Sequence, residues 1–192
     1  MTLTRTFDTI KWLELSEQSE MVNAALDEPY PDIQRYAVAT LFDDKLKPLS
    51  RVLFNYFPRL TDEVKRFLVS RRWNLITLAR NVLKEADDNS RMATLDVLSS
   101  IGGPDICGAL VSVIGDSSQR IMVRAIDILE EIFVRFFSHY SAVKTNHASR
   151  VFVEENKGIV IETMKVLLDN YETHKRQIFA KALVELGTQV YP

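Results

Sequence analysis

Cysteine occurs once in the 192 residues, at Cys107, and glycine and proline occur only six times each. A single cysteine excludes an intrachain disulfide framework and any site built from several thiolates. It fits a reducing compartment, so a cytoplasmic setting is expected. So little Gly and Pro excludes a turn-rich β-sandwich and a disordered linker protein. No apolar run reaches the ~18 residues of a membrane span, and no leader of basic, apolar and small residues is visible, so neither membrane insertion nor a signal peptide is expected. Charge of one sign is lacking as well: 24 Lys and Arg stand against 26 Asp and Glu, a formal −2. What the chain does have is apolar substance, 46% of its residues, enough to fill a core.

That substance recurs at helical spacing. Ile121, Ala125, Ile128, Leu129, Ile132 and Phe136 project onto one stripe of a 3.6-residue helix, with Arg120, Arg124, Asp127, Glu131 and Arg135 largely on the other side. Leu60, Val64, Phe67 and Leu68 repeat the pattern. Strict alternation appears only near Val151–Val153, too briefly to build a sheet, so the fold class is all-α. Punctuation agrees. Ser16 and Thr61 each precede acidic first turns and suit N-caps, and Asp116 with Gln119 has capping-box spacing. Gly102-Gly103-Pro104 reads as one helix stopping and another starting, and Pro31 and Pro48 stand where helices can begin. The outline is five helix pairs: 17–27 with 31–43, 46–58 with 61–72, 74–86 with 89–101, 104–115 with 117–137, and 157–169 with 172–188.

The second helices of these pairs align. Glu28 to Leu41, Ser90 to Leu98, Asp116 to Leu129 and Asn170 to Leu183 share a short acidic or Asn-bearing turn, a polar first helical turn, a small residue and an aliphatic pair. Leu98 and Leu129 are 31 residues apart and Leu41 and Leu98 are 57 apart, about two such periods. Periods of this size built from two helices mark a solenoid, in which each pair buries its apolar stripe on the next. In these residues the chain resembles the HEAT-like repeat family, the armadillo-type helical solenoids, over roughly residues 15–188. The resemblance implies one domain spanning 1–192, a right-handed α–α superhelix of about five antiparallel helix pairs. It also implies a concave wall used mostly to bind other macromolecules and only occasionally for catalysis. Small residues at Ala37, Ala93, Ala125 and Ala182 would let the helices approach closely. The second pair departs from the pattern, since Arg71-Arg72-Trp73 stands where apolar residues are expected. A polar, Ser-rich stretch, Ser138 to Arg150, reads as an insertion at about 138–156, following the aromatic run Phe133-Val-Arg-Phe-Phe137.

Motifs that carry chemistry are scarce. His139, His147 and His174 form no helix-borne zinc pattern, and no His-Glu dipeptide of the kind used by HEAT-like iron hydroxylases occurs. No phosphate-binding glycine loop exists. Cys107 lies near a helix start, which can favour a thiolate, but a small apolar residue between helices is the alternative. Two enzyme branches of the resemblance, the bilin lyases and the alkylpurine DNA glycosylases, find no matching motif here. The expectation is therefore no catalytic residue, no metal, no cofactor and no enzyme.

Charge placement is more informative than total charge. Residues 1–32 hold two basic and seven acidic side chains; residues 45–91 hold eleven basic and five acidic, including Lys47, Arg51, Arg59, Arg80 and Lys84. Tyr56, Phe57 and Trp73 are interleaved with the basic residues. The pattern predicts a docking patch for an acidic protein segment, with Lys65, Arg66, Arg71, Arg72, Trp73 and Arg91 as candidate contacts and Tyr140 in the insertion as a further one. Lys65 and Arg72, seven apart, would share a helix stripe, and Arg71 requires either a helix break or a side chain that bends outward. Nucleic acid is the alternative ligand, against which a pI of about 6.0 weighs. Self-association is open to an array with an exposed apolar end.

Overall fold

A computed structural model describes residues 10, 12–43, 49–85, 87–175 and 184. Every regular element among them is helical. They are α1 (Leu15–Asp27), α2 (Pro31–Thr40), α3 (Ser50–Tyr56), α4 (Asp62–Ser70), α5 (Arg72–Glu85), α6 (Asp88–Ile101), α7 (Cys107–Leu110), α8 (Gln119–Ser141), α9 (His147–Asp169) and α10 (Tyr171–His174). Single 3-10 turns follow α3 and flank α7. The chain divides into two compact units, one ending at Ile101 and one beginning at Gly102. No helix of the described residues is long and apolar enough to cross a membrane. Lys47, Pro48, Ala182, Leu183 and most of the expected last helix lie outside the described residues.

In the first unit α1 packs on α2, α2 on α4, α4 on α5 and α5 on α6, while α3 lies against α5 and α6. The second expected pair is thus not a simple hairpin: α3 and α4 each find their main partners elsewhere. The apolar faces behave as their spacing predicts, with Leu60, Val64 and Leu68 buried on α4 and its approach, and Ala37 fully buried on α2. Ala93 is only half-buried. Pro31 opens α2 as expected. The N-cap of α1 is Glu14 rather than Ser16, because the Glu17 carboxylate accepts the Glu14 N–H at 3.2 Å and so starts the helix two residues earlier. Asp87 caps α6: its carboxylate accepts the N–H groups of Asn89 and Ser90 at 3.0 Å and the Ser90 hydroxyl at 2.8 Å. Those bonds, Ser90's backbone bond foremost, hold Asp87 below the usual carboxylate range.

One buried polar side chain ties this unit together. Gln34 on α2 is 2% exposed. Its Nε2 donates to the Leu26 carbonyl at 2.9 Å and its Oε1 accepts the Thr61 N–H at 3.0 Å. The first closes an orphan carbonyl in the last turn of α1, and the second fixes the N-cap residue of α4. Thr61 is the N-cap, but its side chain makes no capping bond.

In the second unit α8 and α9 pack as a hairpin, with α7 and its 3-10 turns wedged against both. Gly102 (φ 60°) and Gly103 (φ 88°) occupy the left-handed region that glycine tolerates, and Pro104 follows at the first position of a 3-10 turn, as the Gly-Gly-Pro reading predicts. The cap residue of α8 is Ser118 rather than Asp116, whose carboxylate accepts the Ser118 N–H at 2.8 Å. The stretch expected to be a long polar loop at 138–156 is mostly helix: α8 runs to Ser141, a short turn follows, and α9 begins at His147. Val151–Val153 are therefore helical. Asn146 caps α9 by accepting the Ser149 N–H at 3.1 Å, and His139 Nδ1 meets the Ser149 hydroxyl at 3.1 Å, so the polar residues that look like loop are a clasp between two helices.

Candidate functional site

The basic residues of the first unit gather where α4 gives way to α5. Seven-residue spacing would place Lys65 and Arg72 on one stripe, but the helix breaks at Arg71 (φ −103°, ψ 34°) and α5 restarts at Arg72. That break turns Arg71 outward, where its guanidinium lies 5.9 Å from the centre of the Phe67 ring. Arg35 of α2 lies 6.0 Å from the same ring. Lys65 sits 5.8 Å from the Phe57 ring centre and donates to the Pro58 carbonyl at 3.3 Å. Arg59 sits 5.6 Å from the Tyr56 ring centre and 3.7 Å from Asp27. Each contact is worth only about 0.5–1 kcal/mol at an exposed site, but it narrows the positions a long cationic side chain can take. The Tyr56 hydroxyl donates to Asp27 at 3.1 Å, and partial burial followed by that carboxylate pushes its pKa up.

The same stretch of chain exposes two large apolar side chains. Trp73 is 70% exposed and Val69 is exposed on the preceding helix. Trp73, Thr77, Arg80 and Lys84 are all exposed and follow one another at helical spacing, so they form a single outward stripe of α5. Arg66 and Arg71 are exposed next to it. From Val64 to Lys84 the chain carries Lys65, Arg66, Arg71, Arg72, Arg80 and Lys84 and not one acidic residue.

Three of the expected contact residues belong elsewhere. Arg72 is half-buried and donates to the Ile101 carbonyl at 3.3 Å, closing the last residue of α6 where a cation also suits the helix dipole. Arg91 is 9% exposed and pairs with Asp88 at 3.2 Å, one turn back on α6. Tyr140 is not on a loop and belongs to the second unit, half-buried in the last turn of α8, its ring 6.3 Å from Phe136. That ring joins a cluster in which Phe133 and Phe136 are buried and Phe137 and Phe152 half-buried. Lys65, Arg66, Arg71 and Trp73 remain together. Arg35 joins them only through folding, and the sequence carries no signal for it.

No protein-family model, curated protein or solved structure matches this chain. The reading of the site rests on its own chemistry.

The remaining reactive groups are placed quietly. Cys107 is fully buried, and burial pushes its thiol up to about 12, against a smaller opposing effect of the Thr163 hydroxyl. A thiol so held is neutral at physiological pH, which removes the reactive-thiolate reading of its helix-start position. His174 bonds the Leu167 carbonyl at 2.6 Å and His147 is exposed. Among the described residues no group of three or more His, Cys, Asp or Glu is arranged to hold a metal ion. An open groove of about 910 Å³ runs along α8, lined by Arg124, Asp127, Glu130, Glu131, Arg135 and neighbours. Three acidic residues, Asp127, Glu130 and Glu131, stand between Arg124 and Arg135 at helical spacing, so opposite charges meet along a solvated helix face.

Proposed function

We propose that this chain is a non-catalytic adaptor of HEAT-like helical-repeat type that captures an acidic protein segment on the basic face of α4 and α5. The observation that carries the reading is the set of cations held over the rings of Phe57 and Phe67, in a stretch of chain that also exposes Trp73. Cations already positioned lose less freedom on meeting a carboxylate, and an exposed tryptophan supplies the apolar anchor that interface hot spots favour. A partner segment carrying carboxylates around a Leu or Phe fits both. Single-stranded nucleic acid fits less well, because a stacking platform needs several open rings, and beyond Trp73 the rings of Phe57 and Phe67 already carry cations. The hairpins α1–α2, α5–α6 and α8–α9 and the recurring leucine frame support a repeat architecture, and the buried neutral Cys107 suits the cytoplasm.

The test is fluorescence anisotropy with a labelled Glu- and Asp-rich peptide containing one Leu-Phe pair, beside a single-stranded DNA oligonucleotide. Arg66→Glu with Arg71→Glu is expected to weaken peptide binding at least ~10-fold with unchanged helical circular dichroism, because both side chains are exposed. Arg72 is left alone because it closes α6. Peptide binding untouched by the double reversal, or tighter binding of the oligonucleotide at equal salt, would sink the reading.

A further inference from the structure

We propose that the basic face of α4 and α5 takes as its occupant a second copy of this chain, docked through the acidic outward stripe of α1. The proposal rests on the reading of the basic face as a docking surface and names its partner. Between Trp12 and Gln34 the chain carries Glu14, Glu17, Glu20, Asp27, Glu28 and Asp32 and no Lys or Arg. All six carboxylates are exposed. Glu17, Glu20, Ala24 and Asp27 share one stripe of α1 at helical spacing, and Trp12, 79% exposed, and Leu15 stand at its start. The opposing face presents Arg66, Arg71, Arg80 and Lys84 around exposed Trp73 with no acidic residue between Val64 and Lys84. The two stripes also match in length: ten residue steps from Glu17 to Asp27 and eleven from Trp73 to Lys84, about 15 and about 17 Å at ~1.5 Å per step.

The acidic stripe is built on α1 and the basic face on α4 and α5, with α2 between them in the packing order α1, α2, α4, α5. Asp27 already meets Tyr56 and Arg59 within the molecule, but Glu17 and Glu20 on one face and Arg66, Arg71, Arg80 and Lys84 on the other stay exposed, so their complementarity is satisfied between molecules. A contact of this kind uses one acidic and one basic face per pair and leaves one of each open, so it can repeat from copy to copy. Two single helix faces of this length bury well under the ~800 Å² per partner of a stable complex, so the association is weak and sensitive to salt.

The experiment is sedimentation velocity on the full chain over a concentration series, at about 50 mM and about 500 mM salt. Wild type is expected to associate progressively at low salt and to be monomeric at high salt. Glu17→Gln with Glu20→Gln, and separately Arg66→Gln with Arg71→Gln, should each be monomeric alone. Mixed, each contributes one intact face, so association returns and stops at the dimer. A wild type that stays monomeric at low salt, or a mixture that does, overturns the proposal, as does unaltered association of either variant. Peptide binding separates this from the reading it builds on. Wild type that binds the acidic peptide but never self-associates defeats only the present proposal; peptide binding indifferent to the Arg66 and Arg71 substitutions defeats the earlier one.

Discussion

Gln34→Met removes the side-chain amide, both its N–H donor and its carbonyl acceptor, from the interior of the first unit while keeping nearly the same side-chain volume, so no cavity accompanies the change. Two polar backbone groups lose partners: the Leu26 carbonyl, bonded at 2.9 Å, and the Thr61 N–H, bonded at 3.0 Å. A buried polar group left without a bond costs about 1–3 kcal/mol. The Leu26 bond is fully buried and the Thr61 bond partly so, which places the sum near 2–4 kcal/mol. At about 2–4 °C per kcal/mol for a chain of this size, the melting temperature should fall by roughly 5–15 °C. Thermal unfolding followed by circular dichroism measures the total, and amide exchange at Thr61 reports the local event, since its protection depends on Gln34. Gln34→Glu supplies a pH-dependent control. Burial against a carbonyl raises the folded-state pKa of the new carboxyl above its unfolded value, so the proton it donates to Leu26 supports the fold at low pH. That support is lost as pH rises through the folded-state pKa. A Gln34→Met protein within ~0.5 kcal/mol of wild type, with Thr61 still protected, would refute the claim that this side chain holds α1, α2 and α4 in register.

Gly158 sits on the exposed side of α9, and an added Cβ there meets nothing within 4 Å. Gly158→Ala should therefore raise stability by about 0.5–1 kcal/mol, read as a higher melting temperature; a lower one would mean that the face is covered. Cys107 should resist a thiol reagent in the native protein at pH 8 by roughly 10³-fold relative to the unfolded chain, following a thiol pKa raised from 9.0 to about 12. The same shift makes the folded state hold its proton longer, so this group's contribution is intact below pH 9 and declines as pH climbs from there toward about 12. Labelling at the unfolded rate would show that the α7 wedge opens freely.

Apolar spacing together with Pro31 and Gly102-Gly103-Pro104 outlines α1, α2, α5, α6 and α8 to within a few residues, because stripe and cap are local properties. The segment 138–156 reads as loop from its Ser, His and Asn content. It is helix because Val153, Val160, Met164 and Leu167 of α9 find an apolar wall, and the polar residues serve as cap and clasp instead. Arg91 carried a readable warning, since Asp88 stands three residues before it, a spacing that pairs charges along a helix. Arg72 carried none: the Ile101 carbonyl it closes is 29 residues away.

Composition and periodicity alone determine that this chain is helical, that its interior is aliphatic and aromatic, and that acid and base are segregated along its first hundred residues. Those are sums and spacings, which survive whatever the helices do next. Which cations face outward was decided by tertiary structure, because a guanidinium beside a distant helix end or a ring from another element meets that partner only once the chain has folded. The break at Arg71 is the clearest case: one residue leaving the helical region parts Lys65 from Arg72, commits Arg72 to the end of α6, and leaves Arg66, Arg71 and Trp73 to face solvent.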